Sequence, residues 1–251
     1  EVERSFEAHG CSPVERLYRL GLLGGSQDFL MVHSLFVSES DLLRIDPATD
    51  CLGFCPFSQA QFCFPAHIPS WQRRGARGLV GTDCGASNDT MNVQQELRLI
   101  AGAPGLSGTW SQAREAFESK GTLAAAQALQ SHRVGAFDRS IARLGDVDLL
   151  GMVWGDAGDY HPDLPVGSIE EGRFANFVIW NLDDPGLWPA PDPLRALVMG
   201  DATQAIEQVM IAGQWRGQRG HFRQSIVASD DYREARLEAE QRLAALLARI
   251  D

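Results

Sequence analysis

Three polar side chains that could support chemistry follow apolar runs at an even spacing along the chain. His33 ends the apolar run 29–32, and Ser58 follows the run 51–55. Asp83 follows a third apolar run. The steps from His33 to Ser58 and from Ser58 to Asp83 are 25 residues each (58 − 33 and 83 − 58). Each of the three is a reactive polar side chain placed where an apolar run ends.

A step of about 25 residues matches one strand-loop-helix-loop unit. Beyond Asp83, apolar residues recur at i, i+4, i+7 and i+8, which predicts a helix with Asn88 or Asp89 as its N-cap. Three successive strands that deliver polar side chains to one rim are typical of a (β/α) barrel. Taken alone, Asp83 could instead only cap a turn. The apolar positions of the predicted helix are Val93, Leu97, Ile100 and Ala101.

The pattern predicts three segments: last barrel units and trailing helices over 1–150, a small β-domain over 151–222, and a C-terminal helix over 223–251. Strands of the β-domain are expected within 174–180 and 208–215. Other expected features are trailing helices over 110–128 and 131–144, a change to short strands at 146–150, and a polar loop over 155–162. The last helix carries an apolar stripe that is expected to dock on the rest of the chain, made of Leu243, Leu246, Leu247 and Ile250.

Composition excludes some classes of function. The net charge of −11 argues against a nucleic-acid surface, and no apolar run reaches the ~18–20 residues of a membrane span. The number of cysteines is odd, and three of them lie on or beside apolar runs, so we expect reduced thiols in a cytoplasmic protein. A zinc knuckle of Cys51, Cys55 and Cys63 is the less favoured alternative.

Four stretches, in order, resemble the amidohydrolase superfamily. Residues 79–89 resemble its last barrel strand and loop, and residues 10–23 resemble the helix before its sixth strand. Residues 32–33 are similar to the end of that strand, and residues 167–176 to the return into its small β-domain. The resemblance is nearest to the heterocycle aminohydrolases and s-triazine chlorohydrolases (ATZ/TRZ-like). It implies an α/β fold: the C-terminal strands and helices of a (β/α)8 TIM-type barrel, part of a small β-sandwich domain and a C-terminal helix.

The resemblance also implies an activity. Enzymes of this kind are metal-dependent hydrolases that attack an N-heterocyclic substrate with a metal-activated water. The residue matching Asp83 binds one divalent metal and accepts the water's proton; zinc is favoured over iron(II). His33 would lie beside the metal, steering the group attacked or serving as a ligand. Ser87 and Asn88 would touch substrate or fix the Asp83 loop. The expected partner is a small N-heterocycle, with no nucleic acid or membrane, in a homodimer.

The sequence also departs from this family. It contains neither the His-x-His nor the His-x-x-Glu motif of the family's metal site, so we expect the C-terminal part of a longer enzyme. Two alternatives stay open: an inactive homologue with a scaffold or regulatory role, and a hydrolase of a non-aromatic cyclic amidine or imidazolone. Ser58 has no visible His-Asp partners, so a serine nucleophile is not predicted. Four other histidines are expected at the surface or in loops: His67, His132, His161 and His221.

Overall fold

The computed structural model describes residues 2–61, 68–102, 144–161 and 163–249. The chain divides into two compact units, Glu1–Gly167 and Ser168–Asp251. The segment boundaries predicted at residues 150 and 222 remain predictions. Several features named above lie outside the described residues: the helix expected over 110–128, residues 131–143 of the helix expected over 131–144, Cys63, His67, His132 and Ile250.

The first unit contains a parallel three-stranded sheet in the order β1-β2-β3. Its strands are β1 (Phe29–Met31), β2 (Asp50–Phe54) and β3 (Arg77–Val80). Leu52 of β2 pairs with Met31 on one side and Gly78 on the other. All five residues of the central strand β2 are buried, as expected for a parallel strand covered on both faces of the sheet. The three strands predicted before His33, Ser58 and Asp83 are confirmed.

Helices supply the crossovers that parallel strands require. α2 begins at Pro13 after Ser12, whose hydroxyl accepts a hydrogen bond from the Glu15 amide at 3.0 Å. Ser12 also donates to Asp41 of the following helix, which ties two successive helices together. The helices of this unit are α1 (Val2–His9), α2 (Pro13–Arg19), α3 (Glu39–Leu42), α4 (Pro56–Gln61), α5 (Ile68–Arg73), α6 (Gly85–Asn88), α7 (Val93–Gly102), α8 (Asp146–Gly151) and α9 (Gly155–Asp159).

The helix predicted after Asp83 is confirmed, but its predicted N-cap is wrong. Asn88 ends the short helix α6, and Asp89 follows it with a left-handed φ of 53°. α7 begins at Val93, where the side chain of Asn92 accepts a hydrogen bond from the Gln94 amide at 3.1 Å. Asn and Asp tolerate both N-cap and left-handed positions, so their residue types alone could not separate the two.

The polar stretch before residue 161 is helical, not the predicted short strands and loop. The Asp148 carboxylate accepts a hydrogen bond from the Gly145 amide at 3.1 Å and closes the first turn of α8. Acidic residues favour a helix N-terminus, and here they outweigh the turn character of the glycines. In α9, Gly158 packs against the backbone of Val166 and Gly167, an approach that leaves no room for a side chain.

The second unit contains an antiparallel sheet in the order β4-β5-β6. Its strands are β4 (Phe177–Trp180), β5 (Ile206–Ile211) and β6 (Gln214–Arg216). The strand predicted over 208–215 is therefore two strands of a hairpin. Ala212 and Gly213 form the turn with φ values of 49° and 77°, which an apolar pattern cannot show. The helices are α10 (Pro193–Met199), α11 (Phe222–Val227) and α12 (Asp230–Leu247).

The last helix, α12, begins at Asp230. Ser229 accepts a hydrogen bond from the Tyr232 amide at 3.2 Å and caps α12. However, α12 buries none of its residues, and Leu243 is 56% exposed. The predicted docking of its apolar stripe on the rest of the chain stays a prediction. Across the residues that the structure describes, we find no helix long and apolar enough to cross a membrane.

Candidate functional site

The three evenly spaced side chains meet at the carboxyl-end rim of the parallel sheet. Ser58 Oγ donates a hydrogen bond to Asp83 Oδ2 at 2.7 Å. His33 Nε2 lies 4.0 Å from the same oxygen. The side chains come from three successive β/α units, and the parallel arrangement brings their strand ends to one edge. A (β/α) barrel places its active site at this edge.

The backbone at both outer positions adopts an unusual conformation. His33 has a φ of 69° and Asp83 a φ of 61°, both in the left-handed region that favours glycine. Ser34, next to His33, also has a positive φ of 45°. Such conformations cost about 1–3 kcal/mol each and cluster at active sites and ligand clamps. This backbone conformation fixes where the two side chains are placed.

Hydrogen bonds stabilise the negative charge of the Asp83 carboxylate. Its Oδ2 accepts from the Ser58 hydroxyl, and its Oδ1 accepts from the Cys84 amide at 2.8 Å. The Ser58 hydrogen bond, then the Cys84 amide and the nearby His33 ring hold the pKa of Asp83 below its ordinary value. Asp83 is therefore ionised at neutral pH, and each oxygen keeps a lone pair for a cation or a proton.

A residue that the sequence did not single out holds the His33 ring. The side-chain amide nitrogen of Gln59 lies 2.8 Å from His33 Nδ1. Gln59 is only 5% exposed and follows Ser58 directly in the chain. The only signal for it in the sequence is its place beside Ser58, just after a buried strand. One turn of α4 thus contacts both His33 and Asp83.

A buried carboxylate fixes the loop that carries Asp83. Glu96 of α7 is 1% exposed and accepts from the Phe57 amide at 2.8 Å and from the Asn88 amide group at 2.7 Å. Asn88 also donates to the Thr82 carbonyl at 2.7 Å, one residue before Asp83. The two donors satisfy both Glu96 oxygens and join α7 to the loops after β2 and β3. Asn88 is thereby part of the loop's framework.

Ser87 lies nearer to the surface of the same loop. Its hydroxyl donates to the Cys84 carbonyl at 3.1 Å, and it contributes to the lowered pKa of Asp83. Both Ser87 and Asn88 therefore act within the loop in this structure. The substrate contact expected of them remains a prediction.

No protein-family model matches the chain. Among curated proteins, it is 23% identical over 215 residues to the 5'-deoxyadenosine deaminase of Methanopyrus kandleri. It is 25% identical over 215 residues to the 5-methylthioadenosine/S-adenosylhomocysteine deaminase of Aquifex aeolicus. Both alignments cover 85% of this chain and 42% of the relative. The chain thus spans less than half the length of these relatives, and it matches their C-terminal part.

Solved structures with the same fold include metal-containing hydrolases. An adenosine deaminase from Xanthomonas campestris with bound zinc superposes with a TM-score of 0.73, at 21% identity, over 100% of this chain and 49% of that chain. The atrazine chlorohydrolase TrzN from Arthrobacter aurescens TC1, complexed with zinc, superposes with a TM-score of 0.68, at 20% identity, over 93% and 44%.

The predicted resemblance to the amidohydrolase superfamily is confirmed. The predicted fold, the C-terminal part of an amidohydrolase TIM-type barrel, is confirmed with it. The outer strands β1 and β3 of the parallel sheet end at the same rim. His33 and Asp83 occupy these two strand ends.

The donor atoms at this rim suit a divalent metal. One ligand atom each from His33, Cys55 and Asp83 lies within 4.8 Å of the others. Imidazole, thiolate and carboxylate are all zinc ligands, and a catalytic zinc site takes about three protein ligands plus water. Burial, followed by the charge of Asp83, raises the pKa of the Cys55 thiol, so Cys55 is protonated without a cation. His33 and Asp83 therefore fit part of such a shell.

Two further histidines, His161 and His221, are exposed. His161 is exposed and packs edge-on against the Tyr160 ring, with centroids 5.0 Å apart. His221 is exposed in the second unit, just before α11. The surface positions predicted for these two histidines are confirmed.

Proposed function

We propose that this chain contributes the C-terminal part of the active site of a metal-dependent hydrolase that attacks an N-heterocyclic substrate. One observation carries the proposal. Asp83 is ionised, held in a left-handed conformation at the barrel rim, and lies 4.0 Å from His33. The deaminases and chlorohydrolases that the chain resembles support the same reaction class. The inactive-homologue and cyclic-amidine alternatives agree less well with these relatives.

The proposed cofactor is one divalent metal, zinc in preference to iron(II). Asp83 would hold it, with His33 either as a second ligand or as the group that steers the substrate. Two of the superposed structures contain zinc, which supports this choice. When bound, such a metal supplies a nucleophile at neutral pH by lowering the pKa of its water to about 7.

The residues of this chain would accept the proton of the attacking water and orient the reacting groups. Asp83 is ionised and can accept the proton of the attacking water. The Ser58 hydroxyl and the Cys84 amide keep its carboxylate plane fixed while the charge on it changes. His33 faces the same side of the rim, where it can polarise the ring atom attacked or stabilise the leaving amine or chloride.

The substrate proposed is a small purine-, pyrimidine- or triazine-like ring. The curated relatives are named as deaminases of adenosine derivatives, which places ammonia release first among the reactions to assay. Chloride release from a chlorinated triazine is the second. We also propose that the full-length protein forms a homodimer in the cytoplasm. Light scattering on the full-length protein tests the dimer.

The proposal is tested with the zinc-loaded full-length protein and a panel of amino- and chloro-heterocycles. We expect Asp83→Asn to lower kcat/KM by about 10²- to 10⁴-fold, because it removes a metal ligand and the proton acceptor together. Asp89→Asn is the matched control, because it removes one exposed carboxylate from the same loop and Asn tolerates the left-handed φ of 53°. Undiminished deamination by Asp83→Asn with metal still bound would overturn the proposal.

A further inference from the structure

Gln59 is a polar residue at the rim that the sequence did not single out. Its side chain is buried, and a buried amide is almost always satisfied by a specific partner. That partner is His33 Nδ1, at 2.8 Å from the Gln59 amide nitrogen. The contact joins the end of β1 to the first turns of α4, which follows β2.

The direction of this hydrogen bond decides the state of the ring. In neutral imidazole, one nitrogen carries the hydrogen and the other accepts. The Gln59 amide nitrogen can only donate, so Nδ1 accepts and the hydrogen sits on Nε2. Nε2 is the atom that faces Asp83 Oδ2, at 4.0 Å. With Gln59 as the donor, a neutral His33 presents an N–H, and not a lone pair, to the space beside the Asp83 carboxylate.

A metal ligand must offer a lone pair, which Nε2 lacks in this tautomer. The same N–H is suited to donate to a ring nitrogen or to a leaving group on a substrate. The two roles left open for His33 thus call for opposite tautomers, and the neighbouring residue selects between them. Partners of this kind fix both tautomer and ring orientation in metal sites.

We propose that Gln59 is a positioning residue that holds His33 with its hydrogen on Nε2, so that His33 donates to the substrate and does not ligate the metal. The inference rests on the proposed function for its catalytic consequence. The inference also assigns a structural role to α4. Ser58 orients Asp83 and Gln59 orients His33. Two adjacent residues after the middle strand β2 thus fix the orientation of the side chains that follow β1 and β3.

The direct test is ¹⁵N NMR of the histidine ring nitrogens in the full-length protein. Spectra are recorded at about pH 8.5, two units above the ordinary histidine pKa of about 6.5, with and without zinc. His33→Gln assigns the signals. We expect an unprotonated Nδ1 and a protonated Nε2 for His33, and the Nε2 proton persists after zinc is added. A protonated Nδ1, or loss of the Nε2 proton on zinc binding, would overturn the inference.

Two variants and one control complete the test. Gln59→Leu removes the donor, so the His33 signals should move towards a mixture of tautomers. In Gln59→Glu the carboxylate accepts, so Nδ1 should become protonated. Gln95→Leu makes the same side-chain change at an exposed position of α7 and should leave the His33 signals unchanged. Near-UV circular dichroism of each variant verifies the fold. Unchanged tautomers in both Gln59 variants would contradict the assignment.

Activity gives a second, separable readout. Gln59→Leu should lower kcat/KM by about 10- to 100-fold while the zinc content stays at the wild-type value. Loss of zinc in this variant would contradict the inference, because it would make His33 a ligand. If the wild-type protein releases neither ammonia nor chloride from any heterocycle, the proposed function fails. The NMR result still decides the Gln59–His33 assignment in that case.

Discussion

At the scale of single residues, the charge on Asp83 depends on a neighbour from another strand. Ser58 Oγ is buried, donates to Oδ2 at 2.7 Å and is the largest cause of the lowered pKa of Asp83. A group whose pKa is lowered on folding stabilises the fold above its unfolded pKa. That contribution is lost as the pH falls through the folded pKa.

We therefore predict that Ser58→Ala raises the pKa of Asp83 towards its ordinary value. The Cys84 amide remains as a donor, so the shift is partly retained. A carboxyl ¹³C titration by NMR on metal-free protein measures the change. Ser26→Ala, at an exposed turn position, is the control and should leave the titration of Asp83 unchanged. An Asp83 pKa in Ser58→Ala equal to that of the wild type would show that the hydroxyl does not stabilise the charge.

At the scale of elements, the rim depends on how α7 is attached to the loops beside it. Glu96 makes this attachment through the Phe57 amide and the Asn88 side chain, both at hydrogen-bond distance. A buried carboxylate with two donors is stable only while both donors remain paired.

Glu96→Gln tests this attachment. The new amide nitrogen faces one of the two donors, so one hydrogen bond is lost and a donor is left buried. We expect the free energy of unfolding to fall by about 2 kcal/mol, measured by urea denaturation. Glu234→Gln, on the exposed surface of α12, should change it by less than about 0.5 kcal/mol. Equal stability of the two variants would mean that Glu96 does not anchor the loops.

The close packing of Gly158 in helix α9 gives a second prediction. A Cβ at Gly158 would lie 2.4 Å from the Val166 carbonyl oxygen, and a backbone atom cannot move aside as a side chain can. Gly158→Ala should therefore lower the free energy of unfolding by about 1–3 kcal/mol or more. Gly155→Ala in the same helix meets nothing within 4 Å and is expected to be neutral or stabilising. Thermal unfolding followed by circular dichroism compares the two; equal melting temperatures would contradict the close packing.

At the scale of the whole molecule, the parallel sheet was the part that the sequence could predict. Three apolar runs at a constant 25-residue spacing define three β/α units, because the spacing follows from the lengths of a strand, a helix and two connections. His33 and Asp83 follow from their places at strand ends. These features depend on local pattern and repeat length, both of which are visible without a structure.

The features that were not predictable depend on contacts between distant residues. Gln59 gains its role only through His33, which is 26 residues away, and Glu96 gains its role through Phe57, which is 39 residues away. The hairpin turn at Ala212 was hidden because the apolar pattern runs through it. The exposed stripe of α12 shows the converse: an amphipathic pattern indicates a helix but does not say what covers its apolar face.

In the proposed function, the Asp83 carboxylate binds the catalytic cation at the barrel rim. Anomalous diffraction at the zinc edge, from crystals of the zinc-loaded full-length protein, tests it most directly. We predict one anomalous peak at the rim, about 2.0–2.2 Å from an Asp83 carboxylate oxygen, which is the usual zinc–oxygen distance. A zinc peak elsewhere in the molecule, with Asp83 bonded only to Ser58 and the Cys84 amide, would contradict the account.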